Sequence, residues 1–269
     1  MGGGGAAAGA AGAAGAAGMK GAGGAPGGAG GSAPALDPDL VVWYKFDEAT
    51  GTTAFDAAMF GGTARNGTLA SAATGAAAFA TMARVGSHAV RLTGSSATDG
   101  GYVSIPSLPP LAPGAMTIAC WVYLTSDVGW QRVFHLGLDA PTPLKYMFLT
   151  THQAAAAPAS VRFTISTTGT AMAEDIDMTS PALLTLNAWH HVAVTLASGS
   201  PYTGTLYIDR ARAGANARMT VHPADLGATD RNFIGKSPFA QDPYLSGIID
   251  DFRVYRRALT AAEIAALPP

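Results

Sequence analysis

Carboxylate side chains are the first candidates for chemistry, because hydrolysis of a glycosidic bond needs two of them facing each other. A retaining glycosidase holds its acid and its nucleophile about 5 to 5.5 Å apart. The chain has only three glutamates, Glu48, Glu174 and Glu263, and they are far apart in the sequence. The nearest cluster is Glu174 with Asp175 and Asp177, in a polar segment predicted to be an exposed loop or an edge. No second glutamate follows within this segment, so the sequence favours a protein without this catalytic pair.

Motifs for other kinds of catalysis are also missing from the sequence. There is no Gly-x-Ser-x-Gly nucleophile elbow, no His-Glu-x-x-His zinc motif and no complete glycine loop for phosphate. A lyase site in which His135, His152 and Tyr146 converge on one face stays open as an alternative. Cys120 lies in an apolar run and is predicted to be a buried hydrophobic residue rather than a nucleophile.

Aromatic residues in polar loops offer a second kind of chemistry, the binding of sugars. Carbohydrate recognition generally needs an exposed ring beside hydrogen-bonding groups, at the rim or on the open face of a scaffold. Trp130, in the turn-like segment SDVGWQ, is the best candidate. Tyr244 and Tyr202 are second choices. The alternative for each ring is ordinary cover of a loop cluster.

Charge and composition narrow the range of partners. Charged residues make up 13% of the chain, the formal net charge is −2, and the Lys and Arg residues are scattered. This pattern argues against a nucleic-acid partner. One cysteine excludes an internal disulfide, so a packed core must stabilise the protein. No apolar stretch reaches the length of about 18 residues that predicts a transmembrane helix.

The elements that position these candidates are predicted to be β-strands. From Leu40 onward the side chains alternate with a period of two. The runs are separated by Gly, Pro, Ser, Thr and Asp clusters, which are typical turns of an antiparallel sandwich. No run of helical period separates them, which argues against a parallel α/β sheet. The predicted strands are residues 41–46, 89–92, 102–105, 116–124, 132–136, 146–149, 161–165, 190–196, 205–209, 232–234 and 247–255.

The two ends of the chain depart from this strand pattern. Residues 1–36 are nearly all Gly and Ala and are predicted to be a disordered linker. No signal peptide is visible there, and one hypothesis is that the natural protein begins upstream with an export or anchor sequence. Near the other end, Thr260 and Glu263 have the spacing of a capping box, which predicts a short helix. Residues 37–269 are predicted to be a single domain.

Several segments resemble the laminin-G-like (concanavalin A-like) jelly-roll family, in sequence and in order. VVWYKFDEATGTTAFDA resembles the family's first strand and loop, and GSHAVRLTG with YVSIPS resembles its next hairpin. MTIACWVYL, NAWHHVAVTL and GTLYIDR follow in the family's order. LSGIIDDFRVYRRALTAAEIAAL is the most specific segment and resembles the last strand, a corner and the capped helix. The resemblance implies an all-β, two-sheet antiparallel jelly-roll sandwich with a short C-terminal helix.

The resemblance also implies a structural calcium ion, the only cofactor expected. Similar modules often hold Ca²⁺ where the first loop meets the last strand, and Ca²⁺ takes six to eight oxygen ligands. The oxygen-bearing residues at these places are Asp47, Asp56, Asn66 and Asp250. The loop DAAMFGGTARNG has fewer Asp and Asn residues than the family's usual loop. The alternative is that Asp250 or Asp251 pairs with an arginine or accepts backbone N–H bonds.

Together these features favour a non-catalytic binding or adhesion module that recognises glycan or protein. From the resemblance, an extracellular or cell-surface location is expected. Two alternatives stay open, because binding modules and polysaccharide-cleaving enzymes share this fold. One is a structural subunit of an envelope assembly without a small ligand. The other is an enzyme acting on polysaccharide, which the scarcity of glutamate argues against.

Overall fold

The computed structural model describes residues 1–3, 36–94, 96–111, 114–138, 144–153, 159–179 and 182–269. The predicted linker, residues 1–36, lies almost wholly outside these ranges, and its disorder stays a prediction. Residues 36–269 form one compact unit. Across the described ranges, no helix is long and apolar enough to cross a membrane.

Antiparallel β-strands dominate the described part of the chain, together with one short α-helix and two 3₁₀ turns. In chain order these are β1 (Leu40–Tyr44), β2 (Thr53–Ala54), β3 (Gly67–Ala72), β4 (Ala77–Ala80), β5 (Ala89–Leu92), β6 (Gly100–Ile105), β7 (Met116–Leu124), β8 (Arg132–Leu138), β9 (Lys145–Gln153), β10 (Ser160–Ser166), β11 (Glu174–Asp177), β12 (Trp189–Leu196), β13 (Tyr202–Ile208), β14 (Ala211–Met219), β15 (Asn232–Ile234), β16 (Gly247–Tyr255) and α1 (Ala261–Ala266).

These strands form two sheets, which confirms the predicted jelly-roll sandwich. The first sheet has the order β14-β13-β12-β7-β16-β5-β4, and β1 also pairs with β16. The second sheet has the order β11-β10-β9-β8-β15-β6-β3-β2. The pairing of β1 with β16 places Leu40 opposite Tyr255, so the first and last strands of the domain are neighbours. The segment from Glu174 to Asp177 is an edge strand, one of its two predicted states.

The core lies between the inner faces of the two sheets. Val161, Phe163 and Ile165 alternate along β10 and are each fully buried. On β7 the inner residues include Cys120, which is 1% exposed. Burial raises the pKa of its thiol well above the usual range. The prediction that Cys120 is a buried hydrophobic residue is therefore confirmed.

The outer face of the first sheet is covered by the C-terminal segment. Ile264 of α1 packs with Ala119 of β7 and Ala193 of β12 in a small apolar cluster. Trp121 is 6% exposed, and its indole N–H donates to the carbonyl of Pro268 at 3.1 Å. The second sheet has no such cover from α1, and its outer face carries the candidate site.

Candidate functional site

A cleft of about 410 Å³ lies on the outer face of the second sheet. Strands β8 to β11 supply half of its lining residues, and the loops before β8, between β10 and β11, and after β15 supply the other half. Four aromatic side chains and four charged side chains are among the lining groups. They are Trp130, Tyr146, Phe148 and Phe239, and Arg132, Arg162, Asp175 and Asp242.

The period of two along the strands puts these residues on one face. On β9, Met147 and Leu149 enter the core, whereas Tyr146 and Phe148 line the cleft. On β10, Arg162 lines the cleft between the core residues on either side of it. The rings of Tyr146 and Phe148 stack with their centroids 5.6 Å apart. The cleft therefore has an aromatic floor.

A bulge at the start of β8 places Arg132 on the same face. Arg132 pairs with Thr150, but Phe134 pairs with Leu149, so the register shifts by one residue between them. Phe134 thereby enters the core. Without the shift, residues 132 and 134 would lie on the same side of the sheet. The irregularity at this strand end thus delivers a charged side chain to the cleft.

Arg132 is buried and incompletely paired. Its side chain is 3% exposed, and Nη2 donates to Oδ2 of Asp242 at 2.7 Å. The guanidinium carbon lies 3.6 Å from the ring centroid of Phe148. Nε and Nη1 are buried and have no hydrogen-bond partner among the described residues. Burial lowers the pKa of Arg132 to about 10, against the opposing effect of Asp242, so the group stays cationic at neutral pH.

The opposite wall of the cleft is a closed network of ion pairs. Arg162 lies 3.1 Å from Asp175 and donates to both carboxylate oxygens of Asp177, at 2.6 and 3.0 Å. Thr164 donates to Asp175 at 2.6 Å. Burial raises the pKa of Asp175, although Thr164 and Arg162 oppose the shift. One arginine in this wall therefore serves two carboxylates.

Trp130 stands at the mouth of the cleft in a strained backbone conformation. Its φ is +71°, in the left-handed region that residues with a side chain rarely adopt. Its N–H donates to the carbonyl of His152 at 2.8 Å. The same turn is tied down by Thr151, which donates to Asp127 at 3.0 Å. Strain held in place by surrounding bonds is a frequent property of ligand sites.

The two tyrosines predicted as ring platforms are both buried. Tyr244 is 8% exposed and packs 5.9 Å from Tyr102, beside the cleft rather than in its lining. Tyr202 is 3% exposed, belongs to the core, and stacks on His222. Its hydroxyl donates to the carbonyl of Val221. The structure thus corrects the expectation that these two rings are exposed.

The residues predicted to bind calcium anchor loops instead. Asp56 accepts N–H bonds from Trp43, Ala58 and Arg65, and its own N–H donates to Asn66. In another part of the fold, the carboxylate of Asp47 accepts a hydrogen bond from the N–H of Ser87. The carboxylate of Asp250 accepts hydrogen bonds from the N–H groups of Arg84 and Val85. Within the described ranges, no three His, Cys, Asp or Glu side chains are grouped closely enough for a metal ion. Among the residues that the structure describes, these side chains therefore do not form a carboxylate cluster for a calcium ion.

The two histidines and the tyrosine considered for a lyase have other contacts in the structure. His135 and Tyr146 pack 5.9 Å apart in the aromatic floor. Burial, together with the charges of Arg132 and Arg231, lowers the pKa of His135 to about 3. The hydroxyl of Tyr146 donates to the carbonyl of Gly169. His152 lies 3.3 Å from Asp127, behind the turn that carries Trp130.

Known proteins share the fold of this chain. The family model described as the concanavalin A-like lectin/glucanases superfamily matches residues 94–265. The chain belongs to this superfamily. Its fold is therefore shared with both lectins and glucanases. A comparison with curated proteins gave no significant match.

Solved structures support the assignment of the fold. Domain 4 of AbnA, an extracellular GH43 arabinanase from Geobacillus stearothermophilus solved with arabinotriose, matches with TM-score 0.58 and 18% identity over 86% of this chain and 98% of that one. Trypanosoma rangeli sialidase gives 0.57 and 17%, over 90% of this chain and 35% of that one. The binding domain of botulinum neurotoxin serotype D/C gives 0.54 and 12%, over 85% and 51%. At these identities the likeness concerns the fold, which enzymes and binding domains share.

The sequence pattern indicates Trp130 but not the other charged and aromatic residues of the cleft. The missed residues are Arg132, Tyr146 as a floor residue, Phe148, Arg162, Asp175 as a wall residue, Phe239 and Asp242. A usable signal is present on β9 and β10, where the residues between the core positions are aromatic, Arg or Thr rather than a mixed solvent face. No comparable signal marks Asp242, because it reaches Arg132 from a loop 110 positions away.

Proposed function

We propose that this domain is a glycan-binding module of an extracellular or surface protein, and that the cleft beside Trp130 is its binding site. The observation that carries the proposal is the combination of a half-buried Trp130 with a buried arginine that has two unpartnered nitrogens in the same cleft. A sugar offers both a ring face for stacking and hydroxyl oxygens that accept N–H bonds. Membership of a superfamily that includes lectins, and the likeness of the fold to a domain solved with arabinotriose, support this proposal.

The state of the carboxylates favours binding without catalysis. Hydrolysis of a glycosidic bond needs a protonated acid and a second, available carboxylate. In this cleft Asp242 accepts a hydrogen bond from Arg132, and Asp175 is held by Thr164 and Arg162. Both carboxylates are committed to positioning their neighbours. We therefore propose that the module holds its glycan and releases it unchanged.

Replacement of Trp130 by alanine tests the site. Trp130→Ala removes the ring at the mouth of the cleft, so glycan affinity should fall by about tenfold or more, as for other central aromatic contacts. A glycan array identifies a ligand, and isothermal titration calorimetry gives its affinity. Phe55→Ala is the matched control, because Phe55 is a 58% exposed aromatic residue outside the cleft.

Two results would count against the proposal. If Trp130→Ala and the unaltered protein are both folded and bind the glycan with equal affinity, the cleft is not the glycan-binding site. Release of shorter products from a polysaccharide panel, lost in Asp175→Asn or Asp242→Asn, would replace binding by catalysis.

A further inference from the structure

We infer that the glycan bound in this cleft carries carboxylate groups, which pair with Arg132 and with a second cation, Lys236, on the same sheet face. This inference rests on the proposed function and names the chemical class of its ligand. The two cations differ from the arginine of the opposite wall, because each has hydrogen-bonding capacity that the described protein groups leave unused.

Arg132 provides the first contact. A single hydrogen-bonded ion pair, from Nη2 to Asp242, compensates its charge, although its side chain is only 3% exposed. A buried cation with unused N–H groups is costly, and an anionic oxygen is the acceptor that relieves this cost most effectively. The guanidinium lies against Phe148 and 5.5 Å from the ring centroid of Trp130. Because Trp130 is half-buried and at the mouth, it is the ring that we expect to shift when a ligand oxygen enters.

Lys236 provides the second contact. Its ammonium lies 4.2 Å from the ring centroid of Tyr102, 5.0 Å from that of Phe233 and 5.7 Å from that of Tyr244. It makes no ion pair or hydrogen bond with a residue in the described ranges. All three ammonium donors are therefore available to a ligand, and the rings hold the cation in place.

Three buried side chains lie between the two cations: Phe233, His135 and Phe148 are 8%, 2% and 5% exposed, and the ring of Phe239 packs edge-on against His135. Phe233 pairs with His135 across β15 and β8, and His135 pairs with Phe148 across β8 and β9. Arg132 lies on Phe148 at one end of this row, and Lys236 lies over Phe233 at the other. Neighbouring strands are about 4.8 Å apart, so the row crosses roughly 10 Å of the sheet face. A glycan of more than one sugar unit is needed to reach both cations.

The acidic residues of the cleft do not cancel this preference. Asp175 and Asp177 are both paired with Arg162 on the far wall. Asp242 is bound to Arg132 and to the hydroxyl of Ser237. Lys236 has no carboxylate partner among the described residues. The excess positive charge therefore lies along the row, where His135 is kept neutral by its burial and by the nearby arginines.

Paired ligands that differ only in charge test the inference. One pair is an oligogalacturonate and the same oligosaccharide with its carboxylates reduced to alcohols. The other is sialyllactose and the same trisaccharide with its carboxylate reduced to an alcohol, which separates sialic acid from uronic acid as the source of the carboxylate. Calorimetry at one fixed ionic strength should show that at least one acidic member binds about tenfold more tightly than its neutral partner.

Charge-removing variants locate the effect. Lys236→Gln should weaken binding of the acidic member by about threefold or more and leave the neutral member unchanged. Arg132→Gln should do the same if its melting curve shows that it folds. Arg218→Gln is the matched control, because it removes one positive charge from an exposed position on β14 of the other sheet. It should leave the acidic preference intact.

The outcomes separate the inference from the proposed function. Equal affinity for the acidic and neutral members, with binding still lost in Trp130→Ala, overturns the carboxylate inference and keeps the glycan site. An acidic preference that Lys236→Gln and Arg218→Gln reduce equally also overturns it, since the effect is then one of net charge. No saturable binding to any glycan on an array overturns both.

Discussion

Asp250 is a carboxylate that the fold buries while using only part of its hydrogen-bonding capacity. It is 0% exposed, and Oδ2 accepts N–H bonds from Arg84 at 2.7 Å and Val85 at 2.8 Å. Oδ1 is buried without a partner among the described residues. Burial raises the pKa of Asp250 to about 6; the charge of Asp251 adds to this effect, and the two N–H bonds oppose it.

This carboxylate should make stability depend on pH. The ordinary pKa of an aspartate is about 4, so between about pH 4 and pH 6 the folded state binds more protons than the unfolded state. The free energy of unfolding should therefore fall as pH rises through this window, by at most about 3 kcal/mol from this group. Asp250→Asn should remove that part of the slope in urea denaturation measured across the window.

Asp230→Asn is the control for this comparison, because Asp230 is exposed. It should leave the slope unchanged. A slope as steep in Asp250→Asn as in the unaltered protein would show that Asp250 ionises in the folded state much as it does in the unfolded chain.

At the residue scale, the sequence predicts the aromatic residue Trp130 of the cleft but not the charged residue Arg132. Trp130 is predictable because its neighbours are polar and turn-forming. Arg132 is not, because a lone arginine at a strand start normally faces solvent, and only the bulge and its long-range partner Asp242 bury it. For Tyr202 the sequence prediction of an exposed ring is wrong. Its polar neighbours suggest a loop, whereas it begins β13 and points into the core.

At the scale of elements, the C-terminal helix depends on its cap. Thr260 accepts the N–H of Glu263 at 3.2 Å, and Glu263 accepts the N–H of Thr260 at 2.7 Å. Both bonds of the predicted capping box are present. The helix has six residues and forms few hydrogen bonds of its own, so the cap is a large part of its stability.

Thr260→Ala should therefore lower the free energy of unfolding by about 1 kcal/mol. Chemical denaturation measures the change. Thr63→Ala serves as the control, since Thr63 is exposed and caps no α-helix; it should change stability by less than about 0.5 kcal/mol. Equal effects of the two substitutions would mean that the helix does not rely on the capping box.

The strands divide into predictable and unpredictable groups for a physical reason. The predicted ranges 116–124, 232–234 and 247–255 coincide with β7, β15 and β16, which lie inside the sheets and are rich in apolar residues. The sequence pattern does not predict strands β3, β4 and β14. They consist largely of Ala, Gly and polar residues, and neighbouring strands rather than their own side chains determine their conformation.

At the scale of the whole molecule, stability should not depend on a divalent metal. The four side chains implied by the family resemblance serve backbone N–H groups in two separate loops. Treatment with EDTA should therefore leave the melting temperature unchanged, and so should added Ca²⁺. A calcium site filled at 100 times its Kd would stabilise the fold by about 2.7 kcal/mol, a shift of more than about 5 °C. A shift of that size in calorimetry would restore the calcium site.

The pairing of β1 with β16 has a consequence for how such a module is built into proteins. Asp37 lies 2.5 Å from Arg257, which in turn lies 2.7 Å from Glu263 at the start of α1. The entrance and the exit of the domain are therefore side by side. A cassette of this shape can be spliced into a surface loop of a host protein, or have its ends rejoined and new ends opened elsewhere, while its interior stays as it is. The cleft lies on the other sheet, so its structure would be unchanged in such a rearranged protein.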